Sequence, residues 1–236
     1  AGRMGSGFNV VGTTSFLNSC SGHGTHVAGI LGGTIFGVAK GVTIHSVRVF
    51  DCIRKGFASD AIAGIDWVAA NRILPAVANI SSSTDEPYQA EDDAVANLTA
   101  AGVVVVVAAG NDARDACSQS PARAPSAITV GATDIYDRRA IWSAGTSESN
   151  FGNCVDLFAP GFGIMSAWDT GNTASNIASG TSMAAPHVAG AAALYLGANP
   201  NATPAQVAAA IVGNATIGRV VDPGPGSPNR LLYIPN

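Results

Sequence analysis

The spacing of apolar positions divides the chain into alternating strand-like and helix-like stretches. Residues 42–50, VTIHSVRVF, are strand-like. Residues 59–72, SDAIAGIDWVAANR, place Ile62, Ile65 and Ala69 at helical spacing, with Ser59 as the expected N-cap. PAVANIS (75–81) reads as a strand. AEDDAVANLTAAG (90–102) reads as a helix with acids in its first turn and Gly102 at its end. The run AGVVVVVAAG (101–110) is too short to cross a bilayer and reads as a buried strand. AITVGAT (127–133) and CVDLF (154–158) are further strands. SMAAPHVAGAAALYLGAN (182–199) is apolar nearly all round, which predicts a buried helix. In TPAQVAAAIVGN (203–214), Thr203 is the N-cap and Pro204 the first helical residue. Buried apolar strands alternating with helices predict an α/β fold: a mostly parallel sheet with helices on both faces. Neither a linker nor an internal repeat interrupts the pattern, so one domain is expected.

Composition narrows the class. With 47% hydrophobic and 12% charged residues, the 236-residue chain suits a large core under a lightly charged surface. A net charge of -4 argues against nucleic acid or an anionic membrane as partner. The chain opens without a signal-peptide pattern and reads as a mature or trimmed domain. None of the four cysteines, Cys20, Cys52, Cys117 and Cys154, forms a CxxC pair, which argues against a zinc cluster. Their even number and wide spacing, with little Lys and much Gly, Ser, Thr and Asn, suit an exported protein with two disulfides. On these grounds alone they also suit four buried thiols in a cytosolic enzyme.

Three segments hold chemistry where a parallel sheet places its functional loops. SGHGTHVAG (21–29) sets His23 and His26 three residues apart at a helix start. That spacing suits metal ligands, packing residues, or a catalytic base beside a structural histidine. AAGND (108–112) follows the valine strand, and its Asn111 can donate a side-chain N–H to an oxyanion or sit in a turn. SGTSMAAPHVAG (179–190) places Ser182 at a helix N-terminus, near free N–H groups and the positive end of the dipole. Such a serine is either a cap or a nucleophile with a base nearby.

GHGTHVAG, AAGN and GTSMAAPHVAG, in that order, resemble the subtilisin-like serine proteases, most closely their proteinase K-like branch. GVAKGVTIHSVRVFDC, SPARAPSAITVGATD, DRRA, CVDLFAPG and GSPNRLLY extend the likeness over nearly the whole chain from about His23 onward. The resemblance implies the three-layer subtilisin-like fold and a secreted endopeptidase acting on protein or peptide substrates. His23 would be the general base, Ser182 the nucleophile and Asn111 the oxyanion donor. His26 and His187 would be structural. Ser81, Ser82 and Ser83, with Ala108, Ala109 and Gly110, would line the substrate cleft. Cys20 would pair with Cys52 and Cys117 with Cys154. Asp156 and the carbonyls of Pro125 and Ala127 would hold a structural Ca²⁺, with no catalytic cofactor. A monomer is implied, with a pro-region as intramolecular inhibitor and chaperone and no nucleic-acid or membrane partner. Sequons at Asn97, Asn201 and Asn214 matter only in a eukaryotic secretory route.

Two departures from the family pattern stand out. Where the family reads close to N-x-S-L-G-G, this chain reads NISSST (79–84), with Ser82 for the leucine and Ser83 and Thr84 for the glycines. Side chains there would narrow an edge that binds substrate by strand addition. The second departure is the orienting carboxylate. In the family an Asp on an early core strand precedes the histidine, whereas the first acid here is Asp51. Residues 1–236 are therefore expected to be a peptidase domain incomplete at its N-terminus, poorly stable and nearly inactive alone. A non-catalytic subtilisin fold used for binding is the alternative.

Overall fold

The valine run sets the architecture. In the computed structural model, which describes residues 2–12, 20–53, 55–143 and 146–235, residues 103–110 are all buried. Side chains alternate across a strand. Val103, Val105 and Val107 accordingly meet Ile65, Val95 and Leu98 in one core. Val104, Val106 and Ala108 meet Val188, Ala192, Leu196 and Val207 in another. Both faces of the sheet are thus covered, as expected for a parallel sheet in a three-layer fold.

Along the chain come β1 (Phe8–Asn9), α1 (His23–Gly32), β2 (Val47–Arg48), α2 (Ala58–Asn71), β3 (Val77–Ile80) and α3 (Gln89–Ala100). Then follow β4 (Val104–Ala108), β5 (Ile128–Thr133), β6 (Ile141–Ser143), β7 (Ser147–Glu148), β8 (Leu157–Pro160), β9 (Ile164–Ala167) and β10 (Ser175–Ala178). The chain closes with α4 (Thr181–Ala198), α5 (Pro204–Asn214), β11 (Thr216–Ile217) and β12 (Arg230–Leu231). The main sheet has the order β11-β12-β8-β5-β4-β3 and is parallel except for β11. β1 and β2 form a separate parallel pair, Phe8 opposite Val47, held to α2 by Phe8 stacked on Trp67 at 5.5 Å. β9 and β10 form an antiparallel hairpin against α1.

Three local expectations are corrected. Ser59 is not the cap of α2: Phe57 holds that place, and the Asp60 carboxylate accepts its N–H at 2.8 Å. An acid at the third helical position can reach back to the cap, and this one does. The stretch 42–50 forms only β2 and a single bridge at Ile44, because its partner β1 is itself two residues long. The strand expected at 154–158 begins only at Leu157, since Cys154 is committed to a disulfide and the Asp156 carboxylate to the Thr129 N–H. Thr203 caps α5 as expected, through a capping box with Gln206. The two disulfides are Cys20–Cys52 and Cys117–Cys154.

Candidate active site

The two histidines of GHGTH part company at the start of α1. Gly22 precedes the helix at φ +74°, and a Cβ there would collide with the Trp168 ring, so the turn requires glycine. His23, the first helical residue, faces a pocket. His26 is fully buried, its Nε2 3.0 Å from the Ile164 carbonyl and 3.1 Å from that of Asn176. Burial lowers its pKa against the opposing pull of those carbonyls, which favours the neutral ring. His26 therefore ties α1 to the β9–β10 hairpin.

Ser182 is the second residue of α4, after Gly180 at φ +148°. Gly180 is set by its backbone conformation and not by crowding: a Cβ on it would meet Asn111, just past β4, only at ordinary contact, 3.6 Å from Oδ1. Asn111 Oδ1 accepts from the Thr181 N–H at 2.9 Å and from the Thr181 hydroxyl at 3.0 Å. With its oxygen held twice, the carboxamide presents its Nδ2 donors on the other side. The Gly110 N–H closes the arrangement by donating to Thr181 Oγ1 at 3.2 Å. Ser182 Oγ donates to the Ser81 carbonyl at 3.3 Å, and Ser81 Oγ to the Ser182 carbonyl at 3.0 Å. Asn79 Nδ2 donates to Ser81 Oγ at 2.9 Å, so the end of β3 is fastened to the start of α4. His187 is spent on structure: its Nδ1 lies 2.9 Å from the Met183 carbonyl, and burial lowers its pKa.

His23, Asn111 and Ser182 line one cavity of ≈ 220 Å³ with His26, Trp168, Ala178, Ser179 and Met183. Segments far apart in sequence are brought to one point, as the three motifs required. A larger depression of ≈ 540 Å³ near α5, bordered by Tyr195, Asn199 and Gln206, pairs no nucleophile with a base. Of the expected cleft residues, Ser81 and Ser82 are half-buried and Ser83 is exposed. Ala108, Ala109 and Gly110 are buried. Gly110, at φ +102°, has no room for a Cβ against Gln119 and Asn150. The Asp51 carboxylate closes its own turn, accepting from the N–H groups of Ile53 and Lys55.

Around the expected cation site, Asp156 is half-buried and its Oδ2 accepts the Thr129 N–H at 2.8 Å. Burial raises its pKa, opposed by that hydrogen bond and by Arg230. Pro125 and Ala127 lie on the turn before β5, where the Ala127 N–H donates to the Ala124 carbonyl. Among the described residues, no group of three or more His, Cys, Asp or Glu could hold a metal. Thr181, Trp168, Gln119 and Asn150 were not singled out from sequence. Only Thr181 carried a signal, its place between Gly180 and Ser182.

The profile of the subtilase family matches residues 3–231. The chain is 56% identical to the extracellular serine proteinase of Thermus sp. (strain Rt41A), over 99% of this chain and 55% of that protein. It is 49% identical to alkaline serine exoprotease A of Vibrio alginolyticus, over 98% of this chain and 42% of that protein. The chain thus spans about half the length of these curated relatives. Among solved structures, a cold adapted subtilisin-like serine proteinase superposes with a TM-score of 0.92 at 46% identity, covering 100% of this chain and 82% of the other. With its three motifs on one pocket and a family match over almost every residue, this chain belongs to the subtilase family.

Proposed function

We propose that the protein is a secreted serine endopeptidase that hydrolyses peptide bonds through an acyl-enzyme on Ser182. The observation that carries this reading is the locked Asn111 carboxamide, whose Oδ1 is bound to Thr181 while its residue shares a cavity with Ser182 and His23. Ser182 Oγ attacks the substrate carbonyl carbon and its proton passes to the His23 imidazole. The weak bond from Ser182 Oγ to Ser81, at 3.3 Å, is given up as this happens. Negative charge develops on the substrate oxygen and meets Asn111 Nδ2–H, with the Ser182 backbone N–H as a second donor at the helix start. His23 then protonates the leaving amine, and a water activated by the same imidazole releases the acyl group. Extended substrate lies along Ser81, Ser82 and Ser83, past the walls formed by Ala108, Ala109 and Gly110.

The names of the relatives, an extracellular serine proteinase and an alkaline serine exoprotease, support the reading. Two disulfides suit an oxidising compartment. A pro-region acting as inhibitor and chaperone, and a monomeric enzyme, belong to the same proposal. So does structural Ca²⁺, held by Asp156 with the carbonyls of Pro125 and Ala127. An all-oxygen set around a half-buried carboxylate fits a hard cation, which would supply the counter-charge that burial denies Asp156. Ser82, Ser83 and Thr84 favour a second reading, a non-catalytic subtilase fold that binds peptides. A fluorophosphonate probe separates the two. Labelling at Ser182 that is lost in His23→Ala is expected of the enzyme; a chain that is folded but never labelled is the binding protein.

A further inference from the structure

The segment that carries Asn111 is held from beneath by a buried polar truss. Asn150 and Gln119 are both fully buried. Asn150 Nδ2 donates to the Ala109 carbonyl at 2.9 Å, and its Oδ1 accepts from the N–H groups of Asp112 at 2.9 Å and Arg114 at 3.2 Å. The Asn150 backbone N–H donates to the Gly110 carbonyl at 3.0 Å. These bonds bracket Asn111: two fall on the residues before it and two on residues beyond it. One side chain thus spans the loop that must aim the Asn111 donor.

A buried carboxamide can be turned over, exchanging donor and acceptor, unless a neighbour forbids it. Here the loop backbone forbids it, since the Asn150 oxygen meets two N–H groups and its nitrogen a carbonyl, and Gln119 adds a further constraint: its Oε1 accepts from Asn150 Nδ2 at 2.6 Å. Gln119 is fixed in turn because its Nε2 donates to Asp112 Oδ2 at 2.8 Å, and a carboxylate only accepts. The carboxylate of Asp112 at one end and the loop backbone at the other thus fix the same polarity through Gln119 and Asn150. Gly110 belongs to the same device, since any Cβ there would displace both carboxamides. The cost of this arrangement is high if it is left incomplete, because an unpaired amide in a dry site loses its full solvation.

We propose that Gln119, Asn150 and Asp112 are positioning residues for Asn111, holding its carboxamide in place before any charge develops. The claim rests on the reading of Asn111 as the oxyanion donor, and it extends that reading to residues that touch no substrate. Preorganisation of this kind matters because a donor that must be reoriented during the reaction stabilises the transition state less.

The test is a double-mutant cycle between Gln119→Met and Asn111→Ala, in protein expressed with whatever coding sequence flanks these residues. On a chromogenic peptide, Gln119→Met should lower kcat by about tenfold with KM nearly unchanged, against the ~10²–10³ expected for loss of the donor itself. In the Asn111→Ala background, Gln119→Met should cost less than about twofold, since there is no donor left to position. An equal loss in both backgrounds, or a change in KM alone, would overturn the proposal. Asp112→Ala, at a half-exposed side chain, is the second variant should Gln119→Met not fold, with a smaller loss of the same kind. A readout independent of turnover is the ¹⁵N side-chain amide signal of Asn111, assigned by its disappearance in Asn111→Ala. It should shift or broaden in either truss variant, and an unchanged signal overturns the proposal even in a protein that hydrolyses nothing. Absence of both labelling and turnover in the parent would instead strike the proposed function, leaving the amide signal to decide the positioning.

Discussion

The two walls of the pocket are built in different ways. The Asn111–Ser182 wall rests on β4, buried along its whole length, and on the buried start of α4. Its polar groups bind one another repeatedly, through Thr181, Ser81, Asn150 and Gln119. The His23 wall rests on α1, which packs on α4 and on the β9–β10 hairpin. Among its anchors are His26 between two carbonyls, Ser166 Oγ donating to the His26 carbonyl at 2.8 Å, and Arg3 donating to the carbonyls of Gly32 and Val42. One wall is tied by a connected network of side-chain amides and hydroxyls, whereas the polar anchors named for the other are separate side chains. The lesson is that the oxyanion donor and nucleophile should tolerate distant changes better than the base does.

The largest expected effect tests the division of labour within GHGTH. Where a carboxylate orients the imidazole, His23→Ala should lower kcat by roughly 10⁶ with little change in melting temperature, as expected for loss of a triad base; in residues 1–236 alone the loss should be nearer ~10², because most of the triad's contribution is already missing. His26→Ala should do the reverse. Removing a buried ring and leaving two carbonyls unpaired should cost about 3 kcal/mol of stability. A urea melt and a single-turnover assay on both variants would show whether the roles are separate.

The disulfides offer the next comparison, because each leads into one wall. Cys20 lies just before His23, and Cys117 just before Gln119. Cys20 and Cys52 are exposed, whereas Cys117 and Cys154 are half-buried. Each closes a loop of a few tens of residues, worth about 3–4 kcal/mol. Under a limiting thiol reductant Cys20–Cys52 should open first, and His23-dependent labelling of Ser182 should slow with it. Mass spectrometry of trapped thiols that found Cys117–Cys154 opening first would reverse the ranking of the two walls.

A smaller effect locates the weak point behind the stronger wall. Glu91, on α3, is 2% exposed, and its Oε2 has no hydrogen-bond partner among the described residues. Burial, and then the neighbouring Asp92 charge, push its pKa from 4.5 up to about 7. Asp92 is itself paired with Arg123 at 2.6 Å. Between these two values the native state holds a proton that the unfolded chain has released, so stability should fall as pH rises from about 4.5 to about 7, and the penalty should persist above that. Glu91→Gln should abolish this slope and stabilise the protein at pH 8 by up to roughly 3 kcal/mol. Thermal melts of both proteins across that range supply the check.

The smallest effect concerns the cation. Chelation should lower the melting temperature by a few degrees, since a ligand bound only by the native state stabilises it. Asp156→Ala should remove the response. A wild-type melt indifferent to chelator would count against calcium at Asp156.

Much of this molecule was legible in its sequence because the relevant physics is local. A run of five valines declares a buried strand, and an all-round apolar helix declares a buried one, whatever surrounds them. Thr203 and Pro204 mark a helix start by themselves. GHGTH, AAGN and GTSMA pointed to the residues that share the cavity. What sequence could not determine is pairing between groups far apart along the chain. The carbonyls that hold His26 lie 138 and 150 residues away, and Ser81 meets Ser182 across 101 residues. Gln119 and Asn150, 31 residues apart, carry no motif that links them. Periodicity and capping depend on neighbours within a turn or two, so they are written in the order of residues. The direction in which a buried carboxamide points depends on which donors and acceptors the fold brings against it, and only the tertiary structure decides that.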